Sequence, residues 1–124
     1  MKTGKVWGTT ELLLKTPLIE IHRLTIAPNA RCSRHKHCFK WNAFLVHSGH
    51  LTIEVQKNDY PLIDRTVIGP GELTTVKPGE NHRFETGDEP VVAIEIYYPE
   101  GLSEDIIRMD HGGLKDEIGD WKDG

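Results

Sequence analysis

The chain has 124 residues, 37% of them hydrophobic, with 15 basic and 19 acidic side chains for a formal net charge of −4. That length suits one domain with a self-sufficient core, and the lack of any basic run argues against a nucleic-acid partner. The opening MKTGKVWGTTELLLK carries only three consecutive leucines between charges, too few for a signal peptide or a membrane span. A cytoplasmic protein with no membrane contact is expected.

Taken in order, residues 5–14 read as a strand, a bend and a second strand, broken by Thr16-Pro17. Residues 18–27 (LIEIHRLTIA) alternate and are rich in β-branched side chains, so they form a strand ended by Pro28-Asn29. Residues 42–47 are apolar and run into Ser48-Gly49. Leu51, Ile53 and Val55 then alternate on one face, which predicts a hairpin between these two segments. A polar loop is expected over 57–61, followed by strands at 62–68, 72–76, 82–85 and 91–98, with Gly and Pro between them. Nine or ten short strands punctuated in this way predict an all-β sandwich or barrel.

Only residues 102–109 have a helical pattern, with Ser103 as N-cap and Glu104 and Asp105 in the first turn. The barrel domain is expected to span residues 1–111. A polar, glycine-rich tail over 112–124 follows, either pinned to the surface by Trp121 or disordered.

The chemistry concentrates between Ala27 and Gly49. His35 and His37 are two apart, so in extended chain both project to one side and can grip one ion. His82 follows 45 residues after His37, three past the Gly79 turn. A pair and a distant third is the spacing of a metal site closed by tertiary folding. Cys32 and Cys38 flank the pair: a disulfide and a zinc knot with the histidines are both conceivable. Four ligands within seven residues fit poorly round a tetrahedral ion, so free thiols are expected.

These residues resemble the cupin superfamily. Its first motif is roughly Gly-x5-His-x-His-x3-4-Glu-x6-Gly, matched in spacing by His35, His37 and Gly49. The second, Gly-x5-Pro-x-Gly-x2-His-x3-Asn, is matched by Gly71, Gly79 and His82. Asn42 stands where the motif glutamate would be and Asn29 where the opening glycine would be. Pro78 is displaced by one residue, with Lys77 in its place, and Thr86 replaces the closing asparagine. Within the superfamily, the chain is similar to the cupin domain of type II mannose-6-phosphate isomerases. The matching segments are Trp7-Gly8-Thr9-Thr10-Glu11, the strand from His22 to Asn29, and Asp105-Ile106-Ile107-Arg108. The closing Tyr-Gly-Arg of those enzymes is replaced by His111-Gly112-Gly113.

The resemblance implies a cupin double-stranded β-helix, a jelly-roll barrel. It also implies a divalent transition metal (Zn, Fe, Ni or Mn) on His35, His37 and His82 with Asn42 beside them, and imidazoles suit such ions. Asn42, Phe44 and Val46 would share the cavity face. An isomerase needs a base beside the substrate carbonyl. Glu95 on the last strand is a candidate that could equally face solvent, whereas Glu54 is expected to point outward, opposite Leu51, Ile53 and Val55. Arg108 is a candidate for holding an anionic group. His22, His47, His50 and His111 are expected to be structural or exposed. The expected partner is a small molecule, an anion or a sugar. A three-His iron dioxygenase and a non-catalytic sugar-binding cupin are the alternatives to an isomerase. Trp7 and Trp41, with no evident claim on a small barrel's interior, suggest a homodimer.

Overall fold

A computed structural model describes residues 1–56, 62–101 and 106–115. Among these the protein is built of strands alone: β1 (Lys2–Lys5), β2 (Gly8–Lys15), β3 (Glu20–Ile26), β4 (Lys40–Ser48), β5 (Leu51–Gln56), β6 (Ile63–Ile68), β7 (Leu73–Val76), β8 (Asn81–Thr86) and β9 (Val91–Pro99). A six-stranded sheet runs β1-β2-β3-β9-β4-β7 and a three-stranded sheet runs β6-β5-β8, every pair antiparallel. The alternating apolar residues of both sheets face one another. Leu24, Ile26, Phe44, Val46 and Ala93 meet Leu51, Ile53, Val55 and Phe84 in one buried core. No helix among the described residues is long and apolar enough to cross a membrane.

The expected hairpin between residues 42–47 and 51–55 does not form. β4 pairs with β7 and β9 in the large sheet, and β5 pairs with β6 and β8 in the small one. The turn between them is a crossing from one sheet to the other. Gly49 sits at φ 81 with its α-carbon so close to Pro90 that a Cβ would lie 2.4 Å from that carbonyl oxygen, a combination only glycine tolerates. Both strands then bury one face in the same core from opposite sides.

The predicted helix is only partly testable. Residues 102–105, with Ser103, Glu104 and Asp105, lie outside the described residues, and residues 106–109 carry no helix. The polar loop at 57–61 and Trp121 also lie outside them.

Both tryptophans expected at a dimer interface have partners within the chain. Trp7 packs edge-on against Phe84, ring centroids 5.0 Å apart, and joins the margin of the core. Trp41 stacks on Tyr98 at 6.2 Å with the rings 12° from parallel. Trp7 reaches the core because the β1–β2 turn is pressed onto β3. Ala27 N–H donates to Trp7 O at 2.8 Å, and at Gly8 (φ 151) a Cβ would fall 1.9 Å from Thr25 O.

Candidate metal centre

The segment holding the histidine pair is not a regular strand. It lies along the free edge of β8 through isolated bridges, Arg31 to Glu85 and His35 to His82. His35 and His82 exchange backbone hydrogen bonds, 3.0 and 2.8 Å, so their side chains leave the backbone as a directly opposed pair. Gly79 N–H donates to His37 O at 2.7 Å and ties the second motif to the first. His35, His37 and His82 each offer one ring nitrogen, and the three atoms lie within 4.8 Å of one another.

The hydrogen bonds around the rings set the tautomers. His35 Nδ1 lies 2.8 Å from Ser33 O, and His82 Nδ1 lies 3.1 Å from Glu80 O. A carbonyl only accepts, so each Nδ1 carries the proton and each Nε2 presents its lone pair. This is the outer arrangement that metal-bound imidazoles adopt. His37 Nε2 and His82 Nε2 are buried with no partner among the described residues, a costly state for polar atoms that an ion relieves. Burial, then the neighbouring imidazoles, pushes His37 down to about 4. His82 is lowered as well, chiefly by burial. Both rings are therefore neutral and ready to coordinate at neutral pH. The donor set fits a divalent transition ion.

Cross-strand register places a polar stripe over the inner face of the large sheet. Glu20, Tyr97 and Asn42 lie opposite one another on β3, β9 and β4, and the next row is His22, Glu95 and Phe44. Asn42 is buried and donates from Nδ2 to Glu95 Oε2 at 3.2 Å, while its Oδ1 has no partner among the described residues. Tyr97, beside Asn42 and Glu95 in the same stripe, is raised, chiefly by burial and then by the Glu95 carboxyl. Its ring centroid lies 5.0 Å from that of His37. Phe44 and Val46 share the inward face with Asn42, as register predicts, and all three are buried.

Glu95 is an inner residue, 8% exposed, and burial raises its pKa to about 7. It lines a cavity of about 570 Å³ together with His35, Tyr97, Cys32, Phe84 and Trp7, within the usual size of small-molecule sites. Arg108 is exposed on the C-terminal segment and lines neither this cavity nor the 290 Å³ one beside it. The structure thus gathers His35, His37, His82, Asn42 and Glu95 but leaves Arg108 apart.

Three other expectations change or sharpen. Glu54 does point away from the core, yet it is only 4% exposed. Arg65 Nη2 at 2.8 Å and Arg34 Nη2 at 3.4 Å cover it. A hydrogen bond shared with Glu85, then the arginines, holds its carboxyl below the usual range, and Glu85 is raised in return. His22, expected to have no functional neighbour, lines the cavity wall between Thr10 Oγ1 (3.3 Å from Nδ1) and Glu20 Oε1 (3.3 Å from Nε2). Both cysteines are free, and neither belongs to the histidine cluster. Cys32 is buried, accepts from Phe84 N–H at 3.2 Å and is pushed up to about 11 by burial, so it stays a thiol.

The comparisons agree with this architecture. The capsular polysaccharide assembling protein CapF from Staphylococcus aureus superposes with a TM-score of 0.72 at 21% identity, over 80% of this chain and 30% of CapF. CapF in complex with the inhibitor 3-isopropenyl-tropolone gives 0.73 at 22% identity, over 80% and 30% of the two chains. KdgF from Halomonas sp. gives 0.69 at 13% identity, over 82% of this chain and 89% of KdgF. The chain therefore spans under a third of CapF but most of KdgF. No curated protein matches the sequence. The family model for the cupin domain matches residues 22–97, which hold both histidine motifs and all of the polar stripe except Glu20, and the chain belongs to the cupin family.

Proposed function

We propose that this cupin binds a divalent transition metal through His35, His37 and His82 and uses it to act on a small carbohydrate by proton transfer, as a sugar isomerase does. One observation carries the reading: the buried, unpartnered Nε2 atoms of His37 and His82 lie beside His35, which itself lines a cavity that also holds the inward Glu95 carboxyl. When bound, the ion supplies Lewis acidity toward a substrate carbonyl or diol. The chain's own residues do the rest. Glu95, held by Asn42 Nδ2, is placed to take a proton beside the carbonyl and return it to the neighbouring carbon. Asn42 is the proposed fourth ligand through its free Oδ1. Phe44, Phe84 and Trp7 exclude water from the inner end. Polysaccharide assembly, named for CapF, and the tropolone found with it are in keeping with an oxygen-rich ligand at such a site.

Elemental analysis of purified protein, then incubation of the metal-loaded form with aldose and ketose phosphates in D2O, tests this. The expected outcome is about one metal per chain and loss of the proton α to the carbonyl. Absence of metal from protein refolded with Zn, Fe, Ni or Mn would falsify the reading. A second reading, a three-His iron dioxygenase, is favoured by one observation: Asn42 leaves the proposed ligand set without a carboxylate. Oxygen consumption by the iron-loaded form, with no solvent deuterium entering the sugar, selects it.

A further inference from the structure

The cavity is larger than the metal end requires, and its far wall is built by the N-terminal hairpin. Lys5 on β1, Thr10 on β2 and His22 on β3 all line it. Thr10, His22 and Glu20 form an ordered hydrogen-bond chain, with Lys5 beside it on the same wall. Glu20 accepts at His22 Nε2, so in the neutral ring Nδ1 is the acceptor and Thr10 Oγ1 donates to it. The threonine hydroxyl is thereby committed as a donor inward and keeps its lone pairs for a ligand in the cavity. Lys5 makes no ion pair among the described residues, and Glu95 is the acid that feels its charge across the cavity. Trp7 stands between the two ends, half-buried, its edge against Phe84, an amphipathic surface suited to the apolar face of a sugar ring.

We propose that Lys5, with Thr10 oriented by the His22–Glu20 pair, is the subsite for the anionic end of a monosaccharide whose other end meets the histidine centre. Lys5 pairs with the carboxylate or phosphate, and Thr10 accepts from the neighbouring hydroxyl. The inference rests on the metal-centred carbohydrate reading above and narrows its substrate class to anionic sugars. The resident charge at the other end favours anions generally, so the specific claim is that discrimination depends on Lys5.

The test is calorimetry on zinc-loaded protein with D-glucose, D-glucuronate and D-glucose 6-phosphate, which differ only at C6. At least one anionic sugar should bind about tenfold tighter than glucose, as one charge-assisted contact supplies. The carboxylate and phosphate arms identify the anion. Lys5→Met should abolish that preference while leaving glucose affinity and zinc stoichiometry unchanged, and Lys2→Met, on the same strand, should not. Thr10→Val should weaken all three sugars and Thr10→Ser should restore them. Equal binding of the three sugars, or a preference that survives Lys5→Met, overturns the subsite. Failure to load zinc, iron, nickel or manganese, or no binding of any sugar by the loaded protein, overturns the carbohydrate reading and the subsite with it.

Discussion

Two glutamates in this protein are almost equally hidden, and their surroundings are opposite. Glu95, inside the barrel, is 8% exposed and has an amide and a phenol for neighbours. Glu54, on the outer face of the small sheet, is 4% exposed under Arg65 and Arg34. Burial raises the first to about 7, whereas hydrogen bonding and the arginines lower the second. A carboxyl with cations around it welds strands together. One that is buried with no cation in contact, Lys5 reaching it only across a cavity, is unstable as an anion and so remains available for proton transfer. The difference separates the part of the molecule that holds the sheet from the part proposed to do chemistry.

The most severe way to probe the chemical half is to remove an imidazole. His82→Ala should weaken metal binding by more than about 100-fold, since loss of a supporting outer contact alone costs about 10–100-fold. Glu54→Gln should leave metal stoichiometry intact. Elemental analysis after gel filtration reads both, and full occupancy in His82→Ala would show that the cluster is not the metal site. Acid should act the same way. The folded pKa of His37, about 4, lies below its ordinary value, so the ring stays neutral well below 6.5 and its share of the metal affinity is lost only as pH falls through about 4.

The two glutamates should respond oppositely to neutralisation. For Glu95 the folded pKa, about 7, exceeds the ordinary 4.5. Its contribution to stability is therefore fully present below 4.5 and is lost as pH rises through 7, a change of about 3 kcal/mol. Glu95→Gln should accordingly raise the urea midpoint of the metal-free protein at pH 8 and change it little at pH 4.5. Glu54→Gln should do the reverse at pH 8, destabilising by about 1–2 kcal/mol. That value is set toward the low end for charged hydrogen bonds because Arg65 is largely exposed and its attraction is screened. If both substitutions shift the midpoint in the same direction at pH 8, the distinction between the two carboxyls fails.

Much of this was legible in the chain itself, and the gaps have physical causes. Most strands were announced by alternation or an apolar run with Gly or Pro near the ends, because those signals are local, although β1 (Lys2–Lys5) precedes the first strand that was read. Which sheet a strand joins is not local, and β4 and β5 were paired by proximity when Gly49 in fact carries the chain across the core. Alternation correctly sent Glu54 outward, but outward is not exposed when Arg34 and Arg65 reach over from other segments. His22 gave no hint of its surroundings, since Thr10 lies twelve residues away and comes diagonally beside it only through the β2–β3 register, in which Leu12 is directly opposite. The motif spacing did find His35, His37 and His82. A spacing records which residues converge, though not the Nδ1 contacts that aim the rings.

The smallest expected effect concerns Asn42, the proposed fourth ligand, which also donates to Glu95. Its amide does two jobs: Nδ2 donates to Glu95 Oε2, and Oδ1 remains free. Asn42→Glu would supply a charged ligand in place of an amide oxygen, and a carboxylate binds such ions better. It would also withdraw a donor from Glu95 and set a second acid against it, which pushes Glu95 further up. The two consequences oppose one another in net charge, so the gain in metal affinity should be modest, about tenfold. Anions should bind the metal-loaded variant more weakly, since the ion no longer sits among neutral ligands alone. Calorimetry with zinc, then with phosphate, measures both. Unchanged affinities for zinc and phosphate would mean that Asn42 Oδ1 does not face the ion, and that the amide serves only to hold Glu95.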